Sequence, residues 1–234
     1  MDTSQQIDLY KKTAAEAAAA QLTDGMIVGL GSGTTAELAV VAIGARVKDG
    51  LKIIGIPTSE KTAALATSLG IQLATLEEQP AIDVTIDGAD EIEAHTLNLI
   101  KGGGGNQLRE KIVAVASARM IVVADERKLV QHLGKFPVAI EIIRFGWQST
   151  AHRLQQLGAR TTLRIKQGQT YITDDGNYIL DCAFGTIESP ATLQQQLDAV
   201  VGVVEHGLFV GIATQAVLAG AAGVELLSKD NDPA

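Results

Sequence analysis

The sequence predicts an α/β fold: a doubly wound, mostly parallel sheet carrying a smaller inserted α+β unit of antiparallel strands and two helices. Three observations support this. Short apolar runs alternate with helix-forming stretches up to about residue 125, the order that builds a parallel sheet. Aromatic residues make up only 3% of the chain against 46% hydrophobic. The core is therefore Ala, Val, Ile and Leu, which suits strands covered by helices. After Asp125 the texture changes to short alternating strands separated by Gly, Pro and Asp turns.

The elements follow in order. Ser4 to Leu22 is rich in Ala, Lys, Glu and Gln, strong helix formers, and Thr23-Asp24-Gly25 ends it. Met26 to Leu30 is a buried strand. Gly31-Ser-Gly-Thr-Thr35 follows as a turn into a helix from about Ala36 to Val47, with Thr34 as its N-cap on the plainest reading. Leu51 to Pro57 is a second strand, and Ser59 caps a helix from Glu60 to Leu69. Gln72 to Thr75 and Ala81 to Asp87 are strands, the second ending on Asp87. Leu97 to Ile100 is extended and Gly102 to Gly105 a turn. A helix covers about Gln107 to Ser117, and Met120 to Ala124 is a further strand. Gly134-Lys-Phe-Pro137 forms a joint. Beyond it Val138 to Ile143 reads as a strand and Trp147 to Leu157 as a helix. Thr161 to Ile165, Gln169 to Thr173 and Tyr178 to Ala183 read as strands, with Asp174-Asp-Gly-Asn177 as a hairpin turn between the last two. Pro190 to Val200 is helical. Phe209 to Thr214 rejoins the first unit, a short segment lies at Val217–Leu218, and Ser228 to Ala234 is a frayed end. The expected domains are 1–130 with 207–234, and 131–206.

Bulk properties narrow the function. A chain of 234 residues with 20% charged residues buries a sizeable core. The net charge of -8 argues against nucleic acid as a partner. No apolar run reaches the ~20 residues of a membrane span, and Met1 to Gln6 lacks a signal-peptide pattern. Cys182 stands alone, excluding an internal disulfide; it reads as a core residue, and the protein as cytoplasmic. His95, His132, His152 and His206 show no metal-ligand spacing, so no metal and no cofactor are expected.

The chemistry concentrates between Asp87 and Lys111. Asp87-Gly-Ala-Asp90 sits at a strand's carboxyl end, where ligand crevices open in α/β sheets. Lys101 precedes Gly102, Gly103, Gly104 and Gly105, a run that lets backbone N–H groups approach a ligand closely. Where such a run feeds a helix, its N-terminus favours an anion. Glu110 lies within the first turns of that helix, between Arg109 and Lys111. The earlier loop adds the hydroxyls of Ser32, Thr34 and Thr35 around Gly33, with neither the dinucleotide nor the P-loop pattern. Each group has a plain reading as well: a helix cap, a solvated turn, a surface charge. Together they supply a base, an electrostatic stabiliser and a phosphate holder, enough to move a proton between carbons flanking a carbonyl.

Gly29-Leu-Gly-Ser-Gly-Thr-Thr35, Pro57-Thr-Ser59, Asp83-Val-Thr-Ile-Asp-Gly-Ala-Asp-Glu-Ile92, Lys101-Gly-Gly-Gly-Gly105, Arg109-Glu-Lys-Ile112, Ala124-Asp125, Gly134-Lys-Phe-Pro137 and Asp174-Asp-Gly-Asn177 resemble the ordered motifs of ribose-5-phosphate isomerase, type A. The resemblance covers nearly the whole chain. It implies a Rossmann-like domain, a homodimer or dimer of dimers, and interconversion of ribose 5-phosphate and ribulose 5-phosphate in the non-oxidative pentose phosphate pathway, without metal or cofactor. Carried over by position, Glu110 matches the proton acceptor. Ser32 to Thr35, Asp87-Gly88-Ala89-Asp90 and Lys101 to Gly104 match substrate-binding loops, and Lys135 a substrate-binding lysine. Asp87 and Asp90 count with Lys101 and Glu110 among the catalytic candidates: Asp87 would assist ring opening and Lys101 would stabilise an enediolate. Ser-Gly-Thr-Thr replaces the commoner Thr-Gly-Ser-Thr, and Asn106-Gln107 replaces apolar residues. The alternatives are a non-catalytic sugar-phosphate sensor, which would need a DNA-binding segment, and an amino-sugar phosphate deaminase, told apart by ammonia release. A nicotinamide-dependent dehydrogenase is weaker, because the loop spacing is wrong.

Overall fold

The computed structural model describes residues 3–229. Its first half runs α1 (Thr3–Ala19), β1 (Ile27–Leu30), α2 (Thr34–Lys48), β2 (Ile54–Pro57), α3 (Glu60–Ser68), β3 (Gln72–Leu73), β4 (Val84–Gly88), β5 (Glu91–Glu93), β6 (Leu99–Ile100), α4 (Gln107–Val115) and β7 (Met120–Asp125). A short 3-10 turn, Glu126–Lys128, leads to β8 (Leu129–Val130), β9 (Val138–Ile142), α5 (Trp147–Gln156), β10 (Arg160–Leu163), β11 (Ile165–Lys166), β12 (Gln169–Thr170) and β13 (Tyr178–Ala183). The chain closes with α6 (Pro190–Asp198), β14 (Val203–His206), β15 (Leu208–Phe209), β16 (Gln215–Gly220) and β17 (Gly223–Ser228).

The main sheet has the order β17-β16-β7-β4-β1-β2-β3. Every neighbouring pair in it is parallel except β16 with β17. From β1 the chain fills one side through β2 and β3, then returns to the other through β4 and β7. The strand order therefore reverses between β1 and β4, and their carboxyl ends frame a crevice. One face is covered by α1, whose Ala14, Ala15, Ala18 and Ala19 are fully buried with Val40, Ile43, Ile121 and Val217. Side chains that small let the helix lie close to the strands, which is why so few aromatic residues suffice.

A separate antiparallel sheet, β10-β13-β9-β14, carries α5 and α6 on a second core of Ile140, Leu154, Leu180, Cys182 and Leu197. Burial pushes the Cys182 thiol up to about 12, so it is an inert core residue. A small third sheet, β15-β6-β5-β8, joins the two layers.

Some expected elements change. Gly33, at φ 90°, takes the position before α2, and Thr34 is its first residue rather than its cap. Ser59 does cap α3, its Oγ accepting from the Thr62 N–H at 3.0 Å. The turn at 174–176 forms, but its flanking strands do not pair with each other: β12 pairs with β11, and β13 with β10 and β9. Both edges of β13 are taken, by β10 and β9, and Glu141 accepts hydrogen bonds from Thr173 Oγ1 (2.8 Å) and Asn177 Nδ2 (2.9 Å), tying the turn to β9. The short segment expected at Val217–Leu218 is the middle of β16, beside β7 in the main sheet. Before it, Leu208–Phe209 pairs with β6 in the small sheet, and after it the chain folds back from β16 onto β17. Ser228 closes β17, and the rest of the expected frayed end, from 230 on, lies outside the described residues. Nearly all of β17 is exposed, so it lacks the one-sided apolar pattern that marks a strand in sequence.

Candidate active site

At the reversal point Asp87 ends fully buried, the fourth residue of β4. Its Oδ1 accepts the N–H groups of Ser32 (3.0 Å) and Gly88 (2.7 Å), locking the two strand-end loops together. Gly31 makes this possible: a Cβ there would stand 2.2 Å from Asp87 Oδ1. The Lys101 ammonium lies 3.0 Å from Asp87 Oδ2 and 3.1 Å from Glu110 Oε2, and donates to the Gly88 carbonyl at 2.6 Å. Among the described residues neither of those carboxylate oxygens has another hydrogen-bond donor. Beneath, the Phe209 ring centroid is 5.6 Å from Lys101 Nζ and 5.1 Å from Lys111 Nζ. Lys101 and Glu110 are only 3% and 4% exposed.

Burial sets the protonation. It raises the Asp87 carboxyl, with Lys101 and the two N–H donors opposing. Burial, then the charge of Asp87, pushes Glu110 up to about 8, with Lys101 pulling back. Burial also acts to lower Lys101, but the carboxylates beside it, Asp87 first, outweigh that and hold it above its usual value. The result is a permanently charged lysine between two carboxyls, one of which exchanges a proton near neutrality. That is the equipment of a general base beside an oxyanion stabiliser.

A cavity of about 180 Å³ opens onto this cluster. Its walls include Ser32, Gly33, Thr34, Thr35, Gly88, Ala89, Asp90, Lys101, Gly102, Gly103, Gly104 and Glu110, so the structure brings together all but two of the expected site residues. Asp87 lies directly behind, reaching the site through Lys101. Asp90 Oδ2 accepts from the Gly103 N–H at 2.8 Å, pinning the glycine loop; a Cβ at Gly103 would stand 2.6 Å from Asp90 Oδ1. Lys135 lines an adjoining cavity of about 350 Å³ that shares Asp90, Arg127 and Lys128 with the first. The first cavity takes its cations instead from Lys11 of α1 and from Arg127 and Lys128 after β7, none of which the sequence marked out. A signal existed for the last two, since Asp125 ends a strand on the same edge as Asp87. A larger groove of about 850 Å³ runs along α1 and α2, but it meets the site only at Lys11 and Thr34 and holds none of the charged cluster.

The antiparallel sheet supports the glycine loop from outside. Arg164, forked onto Asp181, donates to the Gly102 carbonyl at 2.8 Å, and Tyr171 Oη donates to the Gly104 carbonyl at 3.4 Å. Arg109, next to Glu110, binds Asp175 at 2.9 Å, Glu60 at 3.1 Å and Asp174 at 3.5 Å. Among the described residues one group of potential metal ligands comes together: Asp198, Glu205 and His206. Sequence spacing did not show it. Its members are already engaged, Glu205 by Lys111 at 2.5 Å and His206 Nε2 by Asp198 at 3.1 Å. Burial holds His206 down at about 4, so the ring is neutral.

The model of the family ribose 5-phosphate isomerase A (phosphoriboisomerase A) matches residues 54–223. The chain belongs to this family. A ribose-5-phosphate isomerase A from Synechococcus sp. is 56% identical over 223 residues, covering 94% of this chain and 97% of its own. The solved ribose 5-phosphate isomerase from Plasmodium falciparum superposes with a TM-score of 0.92 at 38% identity, covering 96% of this chain and 100% of its own. A D-ribose-5-phosphate isomerase in complex with phospho-erythronic acid gives a TM-score of 0.92 at 37% identity, over 95% and 99% of the two chains.

Proposed function

We propose that the protein interconverts ribose 5-phosphate and ribulose 5-phosphate through an enediolate. The observation that carries this is the buried Lys101 ammonium, 3.1 Å from Glu110 and 3.0 Å from Asp87, on a cavity whose other end is basic. The phosphate sits at the N-terminus of α2, on the N–H groups and hydroxyls of Ser32 to Thr35, where helix polarity favours an anion. Lys11 and Lys128 supply its counter-charge. With the phosphate held there, C1 and C2 reach Glu110. Asp87, with Lys101, assists ring opening by moving a hydroxyl proton. Glu110 as carboxylate removes the C2 proton, and the electrons collapse onto O1 as an enediolate. Lys101 stabilises that oxygen, a proton passes from O2 to O1, and Glu110 returns its proton to C1 as the C2 carbonyl forms. Asp90 and Gly102 to Gly104 hold the sugar hydroxyls. Lys135 is left out of the substrate set because it lines the neighbouring cavity.

No step calls for a metal or cofactor. Phospho-erythronic acid, held by one structural relative, carries a phosphate at one end and a carboxylate at the other, and so resembles an enediolate in charge. We place the enzyme in the non-oxidative pentose phosphate pathway, in the cytoplasm, as a homodimer or dimer of dimers, with domains 1–130 plus 207–234 and 131–206. The test is a coupled assay of ribulose 5-phosphate formation from ribose 5-phosphate in the presence of chelator. Turnover without added metal is expected; no turnover, or loss that a divalent metal restores, would overturn the reading. Ammonia release from an amino-sugar phosphate in the same preparation would favour the deaminase.

A further inference from the structure

The Gly134-Lys-Phe-Pro137 joint has no role in the proposed reaction, yet it is built with care. Glu91, 4% exposed, spends both carboxylate oxygens on it, accepting the N–H groups of Gly134 (2.8 Å) and Phe136 (2.6 Å). This fixes Lys135 and Phe136 on the rim of a second cavity of about 350 Å³. That cavity shares Asp90, Arg127 and Lys128 with the first, so it continues from the phosphate end of the site and not from the Glu110 end.

Its charges are unevenly committed. Asp90 holds the Gly103 N–H, Glu91 holds the joint, and Arg127 forks onto Asp125. Among the described residues Lys128 and Lys135 have no carboxylate within ion-pair distance; Lys128 Nζ instead lies 6.0 Å from the centroid of the Phe136 ring. In a chain with net charge -8, two unpaired ammonium groups on one concave surface are out of keeping with the background. Such a surface suits an anion, and Phe136 adds a flat apolar wall.

We propose that the second cavity is a subsite for a phosphoryl group carried beyond the 5-phosphate. The protein then binds a ribose 5-diphosphate ester across both cavities: ribose at Glu110, the first phosphate on the α2 loop and Lys128, the second on Lys128 and Lys135. ADP-ribose is an accessible member of this class. The proposal rests on the ribose 5-phosphate reading of the first cavity and adds a ligand class to it.

The experiment measures inhibition of ribose 5-phosphate isomerisation by ADP-ribose and by inorganic pyrophosphate, with wild type and Lys135→Ala. Calorimetric titration of ADP-ribose into both proteins runs alongside. ADP-ribose should compete with an inhibition constant at least tenfold below the KM for ribose 5-phosphate, with pyrophosphate at least tenfold weaker than ADP-ribose. Lys135→Ala should raise the ratio of inhibition constant to KM at least tenfold, and Lys135→Gln should do the same. Competition weaker than ribose 5-phosphate itself, pyrophosphate as effective as the ester, or a ratio unmoved by both substitutions would each overturn the proposal. A protein inactive on ribose 5-phosphate that still binds ADP-ribose, with Lys135-dependent heat, would sink the isomerase reading and leave the subsite standing.

Discussion

Replacing Glu110 by Gln removes one ionisable group and almost no volume, so its effects on rate and on stability separate cleanly. The wild-type carboxyl is buried beside Asp87, and its pKa moves from 4.5 to about 8 on folding. A group raised in the folded state favours folding only while protonated in both states. Its contribution is complete below pH 4.5 and is lost as pH climbs through about 8, because the folded chain holds a proton that the unfolded chain has released. At about 1.4 kcal/mol per tenfold change, the full loss is on the order of 5 kcal/mol. The amide has nothing to lose. Glu110→Gln should therefore match wild type in denaturant midpoint near pH 4 and exceed it above pH 8. At the same time kcat should fall ~100- to 10,000-fold, the usual worth of a positioned base. Urea unfolding near pH 4 and at pH 9 and initial rates of ribulose 5-phosphate formation provide the readings. A variant no more stable than wild type at pH 9 would refute the burial argument, and turnover within tenfold of wild type would refute the base.

Other consequences follow from the same geometry. In wild type, kcat/KM should rise with pH as Glu110 ionises and level off above about 8; a profile flat from pH 6 to 9 would contradict the raised carboxyl. Lys101→Met leaves two buried carboxyls without a counter-charge and should cost ~3–5 kcal/mol. The accompanying loss of activity should not be restored by raising substrate, which a series of substrate concentrations checks. Gly31→Ala puts a Cβ 2.6 Å from the Asp87 Cα, a backbone clash that no rotamer relieves, and should cost ~1–3 kcal/mol or more in thermal unfolding. Lys128→Ala should raise KM for ribose 5-phosphate at least tenfold with kcat within a fewfold; an unchanged KM would remove Lys128 from the phosphate site.

What the sequence revealed depended on how local the cause was. The Ser59 cap is legible because its partner, Thr62, lies three residues away. Asp87, Lys101 and Glu110 were identifiable as a group because one glycine turn links a strand end to a helix start. Lys11 was not, since a lysine in an Ala-rich helix looks like any solvated charge until α1 is placed over the sheet. Lys135, expected at the same crevice, lines the cavity next to it, because motif order says which residues gather at a crevice edge, not which of two adjoining cavities each one lines. The turn at 174–176 was recognised, but not its use. Glu141 and Arg109, both remote in sequence, convert it from a hairpin tip into a tie across the layers.

That tie has a bearing on how the molecule can be cut or shortened. The segment from Arg164 to Asp175 clasps the back of the glycine shelf and the helix bearing Glu110. Excising the antiparallel unit to make a minimal enzyme would spare every proposed catalytic side chain and still unroof the pocket. Loop-swapping between relatives faces the same rule: shelf and clasp travel as one cassette.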